Sequence, residues 1–172
     1  ALSRSDALVI SAGSSVGPKD NIPEIINSLG KPGLIVHGIS MKPSSPTGLG
    51  FINNKPIIVL PGYPVSAFIA FFVFGKILLS TLLKSSDKNI MQKAKITRSV
   101  STIGGMTTYV RVKLINKNGD YYAQPISASG AGILNTLINS DGLVVVPDNK
   151  EGLTMNELVD VILFNWINYD WT

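Results

Sequence analysis

Residues able to hold an anion gather at two strand-to-turn-to-helix junctions in the first half of this 172-residue chain. The apolar run Leu8-Val9-Ile10 leads into Ser11-Ala12-Gly13-Ser14-Ser15-Val16-Gly17-Pro18-Lys19-Asp20. The run Ile57-Ile58-Val59-Leu60 leads into Pro61-Gly62-Tyr63-Pro64-Val65-Ser66. Each reads as a buried strand that turns sharply on Gly or Pro and opens an apolar helix. In open α/β sheets such junctions meet at the carboxyl edge of the strands, where ligands bind. Unpaired N–H groups and the positive end of the helix dipole favour phosphate or carboxylate there. Between the two lies Met41-Lys42-Pro43, a cation on a loop after another strand. Together they point to a phosphorylated ligand.

Several of these residues can be read in two ways. Asp20 stands at the exit of the Gly-rich turn, where a short polar side chain commonly caps a helix. A carboxylate in that place can also hold Mg2+ on a phosphate. Ser14 and Ser15 are good turn residues that can equally donate to phosphate oxygens. Pro43 restricts the backbone at Lys42, so this lysine is either a solvated surface cation or one fixed beside the two turns. Pro64 suits a first helical turn and Ser66 can donate a hydroxyl. Tyr63 can stack on a flat ring or cover the turn. His37 is the single histidine, which excludes a histidine metal cluster and leaves no Ser-His-Asp arrangement to build.

Composition narrows the classes further. Hydrophobic residues make up 45% and charged residues 15% of the chain, enough apolar material for a real core. The formal charge of +4 suits an anionic ligand. No basic cluster with interleaved aromatics marks a nucleic-acid surface. The absence of cysteine removes disulfides and thiolate chemistry and fits a reducing, cytoplasmic setting. Ala1 to Asp6 resembles neither a signal peptide nor a targeting helix. Val65 to Leu83 is almost wholly apolar and close to the ~20 residues that span a bilayer. Gly75-Lys76 interrupts it and no aromatic belt flanks it, so a buried core or interface helix is expected rather than a membrane span.

Strands and helices alternate up to Leu83. A strand over 7–11 precedes a helix over 22–29, with Asn21 and Glu24 placed to form a capping box and Gly30 at its left-handed C-terminal position. Strands follow at 34–40, 49–53 and 55–60, the last two joined at Asn53-Asn54. A helix over 64–83 closes this half, an α/β domain with a parallel or mixed sheet. After the polar stretch Lys84 to Asn89 the texture changes to short strands at 93–100, 107–115, 121–125, 142–146 and 157–164. A turn over Asn116-Lys117-Asn118-Gly119-Asp120 and a short helix at 133–139 complete it, a small barrel or sandwich. The expected organisation is an α/β domain over 1–86 and an all-β barrel-like domain over 90–172.

The ordered set Ser11 to Asp20, Met41-Lys42-Pro43 and Leu60-Pro61-Gly62-Tyr63-Pro64-Val65-Ser66-Ala67 resembles the molybdopterin-binding domain of molybdopterin molybdenumtransferase, the family of bacterial MoeA and the gephyrin E domain. Tyr109-Val110-Arg111-Val112, Asp141 to Pro147 and Glu151-Gly152-Leu153 resemble its C-terminal β-barrel. The resemblance implies an enzyme of molybdenum cofactor biosynthesis. Such enzymes insert molybdate (or tungstate) into adenylylated molybdopterin and release AMP, with Mg2+ assisting. It places the catalytic and metal-binding carboxylate at Asp20 and the catalytic lysine at Lys42. It places pterin-nucleotide binding at Gly13, Ser14, Ser15, Gly17, Pro61, Gly62, Pro64 and Ser66. It further implies a cytoplasmic homodimer whose partners include neither nucleic acid nor membrane.

The chain departs from the family pattern at several positions. Ala12-Gly13 stands where Gly-Gly is frequent, Ser44 and Ser45 where Gly and Lys are frequent, Tyr63 where Asn is frequent and Ala131 where Ser is frequent. The family's two further N-terminal regions and the first half of its α/β domain have no counterpart before Ala1. The chain therefore reads as a C-terminal fragment, inactive alone, whose missing N-terminal part is itself a partner. Two rivals remain: a non-catalytic scaffold of the gephyrin E type, and the related molybdopterin adenylyltransferase, which has no β-rich C-terminal domain.

Overall fold

A computed structural model describes residues 2–11, 21–86, 89–126 and 133–164. The chain divides into two compact units, Ala1–Asp87 and Lys88–Thr172.

In the first unit, β1 (Leu8–Ser11), α1 (Ile22–Leu29), β2 (Pro32–His37), β3 (Met41–Lys42), β4 (Gly48–Ile52) and β5 (Lys55–Leu60) precede a long helix. The sheet order is β1-β5-β4-β2. β1 and β5 run parallel, while β4 pairs antiparallel with both β5 and β2. The β4–β5 hairpin turns at Asn53 and Asn54, both at positive φ (49° and 64°), as a tight right-twisted hairpin requires. From Ile57 to Leu60 β5 is apolar and buried, with both its faces covered. Ile57 and Val59 join Ile26 of α1 on one side. Ile58 and Leu60 join Ala70 of the long helix on the other. Lys55 fastens the N-terminal segment by donating to the carbonyls of Leu2 and Ser5, both at 2.8 Å.

Three local expectations are corrected. Asn21 precedes α1 without a side-chain cap hydrogen bond, so the capping box does not form. Gly30 is extended (φ 158°, ψ 168°) rather than left-handed, because the chain passes directly into β2. The long helix is not buried by its own unit. It comprises α2 (Pro64–Ala70), a π turn (Phe71–Gly75) and α3 (Lys76–Leu82). Only 22% of its apolar window is buried, although its length and mean hydropathy of 2.1 would suffice to cross a membrane. Nineteen helical residues reach about 28 Å, whereas the six residues of β5 reach about 20 Å. Val65, Ile69 and Ala70 are buried, Ala70 against Ile58 and Leu60 of the sheet, while Ile77, Leu79, Leu82 and Leu83 remain exposed.

The second unit is a closed five-stranded barrel built from β6 (Met91–Ile96), β8 (Thr107–Lys117), β9 (Asp120–Pro125), β10 (Gly142–Val146) and β12 (Leu158–Leu163). The order β10-β12-β6-β9-β8 is closed by the pairing of β10 with β8. The β6–β9 pair is parallel and the others are antiparallel. Alternate residues point inward, and Ile96, Val110, Val112, Ala123, Val144, Val146 and Val161 fill the interior. β7 (Val100–Ser101) and β11 (Gly152–Leu153) form a small side ladder. The short helix α4 (Ile133–Ile138) leads into Asp141. The Leu114 N–H donates to the Asp141 carboxylate at 2.6 Å.

Candidate functional site

The parallel pairing of β1 with β5 decides where the two junctions meet. Ser11 and Leu60 are Cα partners, so both strands end at the same carboxyl edge of the sheet. Ala12 to Asp20 lie outside the described residues, and with them the candidates Gly13, Ser14, Ser15, Gly17 and Asp20. The second junction is described throughout. Pro61 is buried, Gly62 and Tyr63 are exposed, and Pro64 is the first helical residue. Tyr63 is extended (φ −77°, ψ 127°) and no side chain caps this helix end. The first helical hydrogen bond runs from the Ala67 N–H to the Tyr63 carbonyl at 2.8 Å. The amides ahead of it have no intrahelical partner in an α-helix and suit an anion.

Lys42 is exposed at the end of β3, beside buried Met41. Its loop is closed by backbone hydrogen bonds from Ile39 to Ser45 (2.8 Å), Gly38 to Thr47 (3.0 Å) and Thr47 to Ser44 (3.1 Å). One side-chain bond then fastens this loop to the helix. The Ser44 hydroxyl donates to the Ser66 carbonyl at 2.6 Å. Lys42 and the turn from Pro61 to Ser66 are thus joined through Ser44.

In the barrel unit, a residue not singled out from the sequence stands out. Arg111 of β8 is only 9% exposed, and among the described residues its Nε has no hydrogen-bond partner. Burial pushes its guanidinium below the ordinary value. Its carbonyl accepts from the Ile126 N–H at 2.9 Å. Nearby, Arg98 Nη2 donates to the Pro125 carbonyl at 3.0 Å. A charge flanked by inward-facing Val110 and Val112 in a strand was the available signal. Ala131 lies outside the described residues. The described residues contain no group of three or more His, Asp or Glu able to hold a metal.

Comparison with known proteins agrees with this architecture. Residues 1–81 match the family described as "Probable molybdopterin binding domain". Residues 93–164 match "MoeA C-terminal region (domain IV)". The chain is 36% identical over 167 residues to a Methanocaldococcus jannaschii protein named "Putative molybdopterin biosynthesis protein", covering 95% of this chain and 37% of that one. It is 24% identical to the molybdopterin molybdenumtransferase of Bacillus subtilis, over 100% of this chain and 41% of that one. A MoeA protein of Pyrococcus horikosii superimposes with a TM-score of 0.77 at 33% identity, over 95% of this chain and 38% of that structure. The chain thus spans about two fifths of the relatives it matches. With one family region on each unit and in the same order, the chain belongs to the MoeA family.

Proposed function

We propose that this chain serves molybdenum cofactor biosynthesis, and that its α/β unit binds the phosphate-bearing part of adenylylated molybdopterin. The observation that carries this reading is the tie between the Lys42 loop and the first turn of the long helix at Ser44 and Ser66, at the sheet edge where β1 and β5 both end. The reaction proposed is insertion of molybdate (or tungstate) into the dithiolene with release of AMP. Cleaving a phosphoanhydride-like bond depends on positioning and on neutralising charge as it develops. Lys42 supplies a positive charge, the turn from Pro61 to Ser66 supplies N–H donors, and Asp20 supplies a carboxylate for Mg2+. A cation bound mainly through substrate phosphates needs only one or two protein carboxylates, so Asp20 with the ligand's own oxygens fits it. When bound, Mg2+ would offset negative charge on the phosphoryl oxygens. The proposal includes a cytoplasmic homodimer, taken from the family resemblance.

Adenylyltransferase is the weaker reading, since residues 93–164 match the MoeA C-terminal region. A scaffold reading has one observation in its favour, the exposed apolar face of the long helix. Calorimetry with adenylylated molybdopterin, with and without Mg2+, followed by molybdate addition and measurement of AMP, separates these readings. Saturable binding and molybdate-dependent AMP release are expected. No binding by the protein that carries residues 1–172 would overturn the proposal.

A further inference from the structure

Ser44 combines three properties that seldom occur together. It is 3% exposed. Its φ of 93° lies where glycine is at ease and a side chain is strained. Its hydroxyl donates to the Ser66 carbonyl, 22 residues away, at 2.6 Å. A residue held in a costly conformation with a satisfied, buried hydroxyl suggests that the hydroxyl is needed where it sits.

The rest of the loop supports the same reading. Thr47 is fully buried, and its hydroxyl donates to the Ser44 carbonyl at 2.7 Å. The Thr47 N–H reaches the same oxygen at 3.1 Å. Ser44 is therefore gripped at its carbonyl by its own loop and at its hydroxyl by the helix. Lys42 lies two residues upstream, exposed and flexible as a side chain, so the position of its ammonium depends on how firmly its backbone is held. The hydroxyl ties this loop directly to the first turn of the helix.

We propose that Ser44 is a positioning residue that docks the Lys42 loop on the first turn of the long helix, so that Lys42 and the N–H groups of Gly62, Tyr63, Val65 and Ser66 act on one anionic group. This inference rests on the functional reading above. Two replacements separate the hydroxyl from the backbone strain. Ser44→Ala removes the hydroxyl and keeps the strain. Ser44→Gly removes both, and its melting temperature should exceed that of Ser44→Ala because glycine accepts this φ freely.

The test has two arms. Hydrogen exchange of the Ile39 and Thr47 amides reads the docking directly and needs no ligand. Both variants should exchange faster than wild type at these positions, the more stable Ser44→Gly included, and unchanged exchange would overturn the proposal. The second arm is a double-mutant cycle with Lys42→Ala, scored by calorimetric affinity for adenylylated molybdopterin. Lys42→Ala should weaken binding about tenfold or more in wild type. It should cost clearly less in the Ser44→Gly background. Equal losses in both backgrounds would show that Ser44 does not act through Lys42. If wild type binds no pterin nucleotide, the functional reading fails and the exchange arm alone decides whether Ser44 docks the loop.

Discussion

Ser11 and Leu60 face one another as Cα partners at the ends of two parallel strands. Each residue is the last of its strand, before a stretch of sequence rich in Gly, Pro and Ser. Parallel strands point their carboxyl ends the same way, so their exits share one edge even though 49 positions separate them. An antiparallel pairing would have sent the two turns to opposite edges. The same sheet holds β4 and β2 antiparallel beyond β5, so this placement belongs to the β1–β5 pair.

The site assignment makes different demands on its lysine and its carboxylate. Lys42→Ala should reduce affinity for the pterin nucleotide by about 1.5–3 kcal/mol, the range for a hydrogen bond to a charged group. Asp20→Asn keeps shape and removes charge, so it should lower Mg2+-dependent AMP release more than nucleotide binding. Calorimetry beside a metal-insertion assay measures both. Wild-type behaviour from the two variants would remove them from the site.

Arg111 carries a buried positive charge whose Nε is unmatched among the described residues. Replacing even a buried ion pair by apolar side chains is often neutral or stabilising, by about 1–4 kcal/mol, and an unmatched buried charge lacks the offsetting attraction of a pair. Arg111→Met should therefore raise the denaturation midpoint in buffer free of multivalent anions. Phosphate should stabilise wild type and leave the variant unaffected. A variant markedly less stable than wild type in anion-free buffer would show that the guanidinium is satisfied from within the fold.

The long helix presents Ile77, Leu79, Leu82 and Leu83 to solvent. An apolar face of this kind on a soluble protein attracts a partner surface or a hydrophobic dye. The native chain should bind such a dye or self-associate, and Leu79→Gln with Leu83→Gln should reduce both. Sedimentation beside dye fluorescence checks this. Monodisperse monomers that bind no dye would contradict it.

Glu157 accepts from the Lys150 ammonium and from the Thr154 N–H at 2.9 Å. The Lys150 hydrogen bond, then the Thr154 amide, hold its carboxyl below the ordinary 4.5. A carboxylate with a depressed folded-state pKa adds stability above its unfolded pKa and loses it as pH falls through the folded value. The pair is partly solvated, so the contribution should be about 0.2–1 kcal/mol. Urea denaturation of wild type and Glu157→Gln should differ by that amount at neutral pH. The two should converge in acid well below pH 4.5. A constant difference across that range would assign the effect to something other than ionisation.

Short-range chemistry was legible along the chain. Asn53-Asn54 and the stretch Asn116 to Asp120 read as turns, and Asn53, Asn54, Asn118 and Gly119 adopt positive φ. The turns need only local backbone freedom, which Asn and Gly provide wherever they stand. The run Ile57 to Leu60 read as a buried strand because apolar side chains on both faces need cover on both. The second junction, from Leu60 into the long helix, and the change to a β-rich second half were visible for the same reason. Capping at Asn21 was a local rule that failed, since the side chain there makes no cap hydrogen bond.

Other features depended on which distant surfaces meet. The apolarity of the long helix is written in its residues, but its exposure follows from the short sheet beneath it. Arg111 lies between two inward-facing valines on β8, and only the fold buries it on the other face of that strand. In the sequence Ser44 is only a departure from a position where Gly is frequent, and only folding carries its hydroxyl to the Ser66 carbonyl. Residue type and spacing determined which chemistry was available, because strand, turn and anion-binding preferences act over a few neighbouring residues. Tertiary structure decided which of those groups act together, because hydrogen bonds form only at about 3 Å and chain order alone does not specify that distance.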